Sequence, residues 1–576
     1  MNQKLENILN VSLDATEDEL RKADSLSTGY NWRDNTWEII VKYSGSLESI
    51  RNRYNVYIKE LLNYYAIIVA DKATIELISQ EDVIDYVEKP KSLYYQIERT
   101  KTAACVGNVR AGGGILSGKG VIVGVIDTGI DIYDNAFRNS DGTTRILNIY
   151  DQTTGEKYDK QSIDEYIRLN EDLSDGTFFY DNAPGVDNIM HGTDVSYIAA
   201  GSLGVAYEAD IIAVKMGYSI NNQFPRTTSL MDAIDYVIRK AIEYRKPVAV
   251  NISYGCNYGA HNGNTLLESF IDDISKSYRC VICVGSGNEA DKAIHFGGII
   301  NTGQVQTAYL SVGEYQSAMD IQIWKNYWDT IDVMLINPRG EQIGIITEGK
   351  INRYETYNTE IITLLGEPSP YNIYQEIYIN LIPKTDYILS GIWQIVLMAG
   401  NIRAGEYNIW LPSSQALGNA TSFNNPTADG TITIPATARN CIAVGAYNAY
   451  TNSYAAFSGR GFDNSIRNVN AGVKPDITAP GVDISIARQR GNDIIYRNVT
   501  GTSYAVPVVT GAAALLMQWG IVMGNDRFMY GEKLKAALID GSKPVGLAGI
   551  TGNDNHPDPR TGWGAVCLMN TLNKIL

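Results

Sequence analysis

The sequence predicts an α/β fold: a doubly wound parallel sheet, preceded by a small α+β unit and interrupted by an antiparallel β-sandwich of jelly-roll kind. Three observations predict it. Short, continuously apolar strands alternate with segments of helical period on both sides of a long gap, the mark of a parallel sheet covered on both faces. A strand-helix-strand-helix-strand order fills the first 96 residues. Strands of strictly alternating pattern fill the gap itself, residues 293–426. At 576 residues the chain is too long for one ordinary core, so several domains are expected. They are 1–96, 97–292, 293–426 and 427–576, the second and fourth being two parts of one sheet.

Within the first unit, "TWEIIVKYSG" and "YYAIIVADKA" read as strands, "LESIRNRYN" and "ATIELISQEDV" as helices, and "IDYVEKP" as a closing strand. "KPKSLYYQIERTK" then reads as an exposed connection. The parallel strands are "VIVGVID", "ADIIAVKMG", "PVAVNISYG", "CVICVGSGN" and "CIAVGAYN". The helices are "HGTDVSYIAAG", "SLMDAIDYVIRKAIEY" and "LLESFIDDISKSY". A small second insertion is expected over 133–186. In the sandwich, "MDIQIWKN", "TIDVMLINPRGEQIG", "QEIYINLI" and "GIWQIVLMAGNIRAGEYNIWLP" alternate, with hairpin turns expected at Pro338–Gly340 and near Gly405.

Composition narrows the function. With 48 basic against 64 acidic residues the net charge is −16, and no basic cluster stands out; nucleic acid and anionic membrane are therefore not expected as partners. The start, "MNQKLENILNVSLDATEDEL", lacks the pattern of a signal peptide, and no window reads as a bilayer span. The expectation is a cytoplasmic protein. Most of the six cysteines are then expected as free thiols. Cys280 and Cys283, in "RCVICVG", sit three apart on a strand, which puts the sulfurs on opposite faces and argues against a shared metal.

Asp127 ends the strand "VIVGVID", where ligands gather in a doubly wound sheet; a turn-capping carboxylate is the plain alternative. Of four histidines, His191 alone opens a helix, where the positive end of the dipole favours the neutral imidazole a general base needs. His261, His295 and His556 lie in loop-like surroundings, with surface or structural roles. Ser503, in "GTSYAVPVVTGAAALL", stands at a loop-to-helix junction. It is either a helix cap or a nucleophile whose own N–H could meet an oxyanion. Asn288, in "VGSGNEAD", follows another strand and could donate a second hydrogen bond, or serve only as a turn residue.

Asp, then His, then Ser is the chain order of the subtilisin arrangement. The segments "VGVIDTGID", "HGTDVSYIAAG", "NISYG", "GSGNE", "KPDITAPG" and "GTSYAVPVVTGAAALL" resemble, in order, the signature blocks of subtilisin-like serine proteases over roughly 115–292 and 427–570. The resemblance implies Asp127, His191 and Ser503 as the triad, Asn288 and the Ser503 N–H as oxyanion donors, and substrate-binding walls at Ser253, Tyr254, Gly255, Gly217 and Gly287. It also implies an N-terminal chaperone-inhibitor propeptide, cut autocatalytically within "SLYYQIERT". Gln96 is the preferred acyl-side residue, ahead of Tyr95, with Ile97 following. The compact pro-unit, the inserted jelly roll and the lack of a secretion signal resemble the Csp-type germination proteases of clostridial spores. In that group the cut propeptide stays bound, and the substrate is the zymogen of a spore cortex-lytic enzyme. Some members have lost triad residues; this chain keeps all three. The partners so implied are a protein or peptide substrate and the chain's own propeptide, and the location spore-associated or cytoplasmic. Structural calcium is common in the wider family, but no acidic loop here has spacing that names ligands, so no metal or cofactor is assigned. A general degradative subtilase and a propeptide-plugged binding protein are the alternatives.

Overall fold

The computed structural model describes residues 2–91, 94–95, 116–171, 183–218, 224–346, 349–418, 420–462, 472–490, 493–546 and 557–575. Its centre is a mainly parallel sheet. From one side, the strands run Ile442–Asn448, Cys280–Gly285, Val248–Ile252, Ile122–Asp127, Asp210–Lys215 and Ile146–Asp151. Ile477–Val482 also pairs in parallel with Ile442–Asn448. Strand order reverses about Ile122–Asp127, which has Val248–Ile252 on one side and Asp210–Lys215 on the other. The carboxyl end of that strand, where Asp127 stands, is thus the switch point at which doubly wound sheets build their sites.

Alternation along each strand feeds two cores. Val123, Val125 and Cys283 face the helices His191–Ala200 and Thr502–Met517. Ile122, Ile126 and Cys280 face Thr227–Tyr244 and Leu266–Ser277. The expected opposite facing of Cys280 and Cys283 is therefore seen. Both thiols are pushed up to about 12 by burial, which keeps them neutral and unreactive.

Residues 295–423, between the Asn288 and Ser503 segments, form two antiparallel sheets around one core that includes Ile321, Ile323, Ile379, Trp393 and Ile395. The turn at Pro338–Gly340 is a hairpin, with Leu335 opposite Ile343. Gly405 is not at a hairpin. The strands it separates, Gly391–Ala399 and Glu406–Trp410, lie in different sheets. Its positive φ of 78° serves a crossing between layers. The segment 133–186 also departs from expectation. Its strand Ile146–Asp151 joins the parallel sheet beside Asp210–Lys215 instead of standing apart, because its apolar residues complete the sheet's edge. Nor is the chain without a stretch apolar enough for a membrane: Thr502–Val522 has mean hydropathy 1.7. The apolar window within it is 83% buried inside the molecule, so its apolarity belongs to the core of the sheet.

The N-terminal unit places Thr36–Tyr43 between Tyr65–Ala70 and Ile84–Glu88, with helices Glu48–Tyr54 and Lys72–Ile78. Three short helices before it, Asn7–Asp14, Glu17–Lys22 and Asp24–Ser27, escaped the sequence reading. The capping box Thr16–Glu19 was the available signal. One face of this unit shares a core with the inserted sheets through Ile362, Leu364, Tyr378 and Ile382. The other meets the helices 227–244 and 266–277 through Ile40, Tyr65, Ile67 and Tyr86.

At the junction, Lys91 is buried between Glu6 at 2.8 Å and Glu88 at 2.5 Å. The second oxygen of Glu88 accepts the Leu266 N–H at the start of a helix, 2.8 Å away. Replacing Lys91 with methionine leaves the buried Glu88 and the part-buried Glu6 without their cation. It should cost about 3–5 kcal/mol, read as a lowered thermal midpoint; an unchanged midpoint would show that the ion triad is dispensable.

Candidate active site

His191 is brought to the switch point by close backbone approach. Gly192 lies so near the Asp127 strand end that a β-carbon there would collide with the Gly129 carbonyl. The helix start is organised by Asp187, which is fully buried. It accepts hydrogen bonds from the backbone of Met190 at 2.7 Å and Thr193 at 2.8 Å, and from the Thr128 hydroxyl at 2.7 Å. Sequence reasoning missed Asp187; an aspartate four residues ahead of a helix start was the only signal. Asp127 Oδ1 lies 2.6 Å from His191 Nδ1 and also accepts the Thr128 N–H at 2.8 Å. Both side chains are buried. Burial works against a charged His191. The ion pair and hydrogen bond with Asp127, backed by Asp187 and Asp194, outweigh it and hold the imidazole above the ordinary histidine range.

Ser503 is the second residue of the helix Thr502–Met517, ahead of the first intrahelical hydrogen bonds, and it is fully buried. Its neighbours fix where it sits. Thr502 donates from its backbone at 3.0 Å and from its hydroxyl at 3.2 Å to Asn288 Oδ1. Tyr504 packs its ring against that of His191, with centroids 5.3 Å apart. Ser503 is therefore held between a residue bound to Asn288 and a residue whose ring packs, tilted, against that of His191. Pro507, four residues on, has no N–H to give the Ser503 carbonyl. The Ser253 hydroxyl donates to that oxygen instead, at 3.3 Å, and is itself held by Asn251 Nδ2 at 3.1 Å.

With its carbonyl end pinned by Thr502, Asn288 leaves Nδ2 buried and, among the described residues, without a hydrogen-bond partner. Such a donor is costly unless something comes to accept from it. Gly287 before it has φ +96°, and a β-carbon there would lie 2.6 Å from the Thr433 methyl. Tyr254–Gly255 form a short antiparallel pair with Tyr94–Tyr95. Gly217 donates its N–H to the Gln152 side chain at 3.1 Å. Gln96 and Ile97 lie outside the described residues, as does His556.

His261 and His295 are buried, not on the surface. Both stack on the Trp410 ring, with centroids at 4.2 Å and 4.9 Å, and hydrogen-bond to backbone oxygens of Ile432 and Thr427. Their place is structural. Among the described residues, no group of three or more His, Cys, Asp or Glu side chains could hold a metal ion.

A parallel-sheet switch point carrying this Asp–His pair, with a serine at a nearby helix start, defines the class of hydrolase. The model for the subtilase family matches residues 118–369 and 395–564, and the chain belongs to that family of serine proteases. The model for the Csp protease B prodomain matches residues 3–91. Among solved structures, the CspB protease of Clostridium perfringens is 34% identical, with a TM-score of 0.74, over 82% of this chain and 96% of that one. Among curated proteins, the subtilase-type proteinase RRT12 of Saccharomyces cerevisiae is 39% identical over 88 residues, 15% of each chain. Subtilisin-like protease 10 of Arthroderma otae is 34% identical over 126 residues, 20% of this chain and 28% of that one. The chain thus spans less than a third of the length of either curated relative it matches.

Proposed function

We propose that the chain hydrolyses peptide bonds with Asp127, His191 and Ser503 as its triad. The observation that carries this reading is the 2.6 Å Asp127–His191 pair beside a serine whose two neighbours are fixed to Asn288 and His191. His191 accepts the Ser503 proton as the hydroxyl oxygen attacks the substrate carbonyl, and Asp127 orients and stabilises the imidazolium. The negative charge on the carbonyl oxygen is met by Asn288 Nδ2 and the Ser503 N–H. His191 then gives its proton to the departing amine, and a water repeats the cycle on the acyl-enzyme. Ser253, Tyr254 and Gly255 on one wall, with Gly217 and Gly287, bind the substrate backbone as an added strand.

His191 must be neutral to act, and its pKa is raised. Reactivity should therefore climb as pH rises through that raised value. The acid limb of Ser503 labelling by a fluorophosphonate should lie above pH 6.5, the ordinary histidine value. A limb below it would contradict the Asp127 pairing.

The chain is further proposed to cut its own propeptide. Tyr94–Tyr95 lies as a strand on Tyr254–Gly255, as a substrate would, and Gln96 and then Ile97 follow Tyr95 in the sequence. N-terminal sequencing of the mature fragment tests this; a chain starting only at its first residue would count against it. The core that the pro-unit shares with the inserted sheets supports retention of the cut fragment, as does reading those sheets as a jelly roll of the Csp kind. Leu364→Asp puts a carboxylate into that core and should let the fragment separate on gel filtration; continued co-elution would argue against retention by this contact.

By likeness to the CspB protease, the substrate is proposed to be a specific proprotein, such as the zymogen of a spore cortex-lytic enzyme, and the setting a spore. Cleavage of that zymogen at one site supports this, whereas broad digestion of casein favours a degradative role. The strand already paired with Tyr254–Gly255 favours one other reading, a site plugged by its own pro-unit. Prompt fluorophosphonate labelling of processed protein separates turnover from a plug.

A further inference from the structure

Asp194 lies on the His191 helix, three residues beyond His191, and its side chain is fully buried. Two arginines close on it from a different element. Arg497 Nη1 is 3.1 Å from one carboxylate oxygen and Arg488 Nε 3.4 Å from the other. Among the described residues neither oxygen makes a hydrogen bond, so its charge is met there by these ion pairs and by its surroundings. Both arginines belong to the antiparallel hairpin Ile484–Arg490 and Asp493–Val499, whose second strand runs through Thr500 and Gly501 into the Ser503 helix.

We propose that Asp194 is a positioning residue: closed on by Arg488 and Arg497, it clamps the 484–499 hairpin to the His191 helix and so sets the elements carrying His191 and Ser503 against each other. The inference rests on the reading of those two residues as the reacting pair.

Stability alone does not account for the arrangement. Ile484, Ile486 and Val499 already bury the hairpin's base in the core. A buried ion pair adds little to stability over an apolar pair of the same size. What charges supply, and apolar groups do not, is fixed direction and an electric field at the nearby imidazole. The groups facing Asp194 are Arg488 and Arg497 from the hairpin, His191 on its own helix, Asp187 before that helix, and Tyr504, whose own ionisation Asp194 disfavours, from the Ser503 helix. Burial pushes the Asp194 carboxyl up to about 6, against the pull of Arg497, Arg488 and His191. The clamp is therefore charged at neutral pH and discharged in mild acid.

The test measures fluorophosphonate labelling and self-cleavage of the full-length chain, from mildly acid to mildly alkaline buffer. Asp194→Asn should react about ten- to a hundred-fold more slowly than the parent above neutrality. The gap should close as pH falls, because the parent then loses the same charge. Arg497→Gln removes a half-exposed cation and leaves Asp194 less compensated. Its acid limb should move up by about one pH unit, and Arg497→Lys should bring it back. If Asp194→Asn fails to fold, the two Arg497 variants decide the matter. A gap independent of pH, or an Arg497→Gln profile matching the parent, would overturn the clamp while leaving the peptidase reading intact. A parent chain that neither labels nor self-cleaves would overturn both.

Discussion

Ser503→Ala is expected to leave the chain whole. Intact-mass measurement should find it only at the full 63.4 kDa, while the parent divides near Gln96 into a pro-fragment and a mature fragment. Turnover on any peptide should fall by about six orders of magnitude, since the triad acts as a unit and removal of its nucleophile removes nearly all of its effect. The fold should be spared. Ser503 is small and buried, and Thr502 and Tyr504 keep their contacts with Asn288 and His191. Its alanine variant should therefore melt within a few degrees of the parent. Self-cleavage by Ser503→Ala at the parent's rate would remove the serine from the mechanism.

Asn288→Asp is expected to give the second largest loss. The substitution keeps an acceptor for Thr502, so the start of the Ser503 helix stays tied. It replaces the buried amide donor with an oxygen that repels a developing oxyanion. Loss of one such donor lowers kcat by about a hundred- to a thousand-fold, and KM should move little because the donor acts chiefly in the transition state. Turnover near the parent's rate would mean that Asn288 only anchors Thr502. Asn288→Ala, which removes donor and anchor together, would then separate the two functions by its thermal midpoint.

Much of the fold was legible because the parallel strands are short, mostly apolar runs. "VIVGVID" and "CVICVG" could be little else, and the structure buries every residue of both. The inserted sheets were legible by the opposite token, strict alternation. The three N-terminal helices were not. They are short, and their apolar faces are completed by another unit's residues, Ile362, Leu364 and Tyr378, which no local period announces. Gly405 misled for a related reason: a turn signal reports a change of direction but not which sheet the chain enters next. The apolar run at Thr502–Val522 shows the same gap, since length and composition are alike for a core helix and a span.

The site divides along the same line. The order and flanking residues of Asp127, His191, Asn288 and Ser503 stand in the sequence itself, because each must end a strand or begin a helix, and those junctions carry local marks. Only the tertiary structure decides the rest. Asp187 under the His191 turn, Ser253 at the carbonyl that Pro507 leaves without a helical donor, and Asp194 between two distant arginines owe their roles to approach in space. Apart from the bonds of Asp187 to Met190 and Thr193, such contacts join residues tens to hundreds of positions apart, and local propensity carries no record of them.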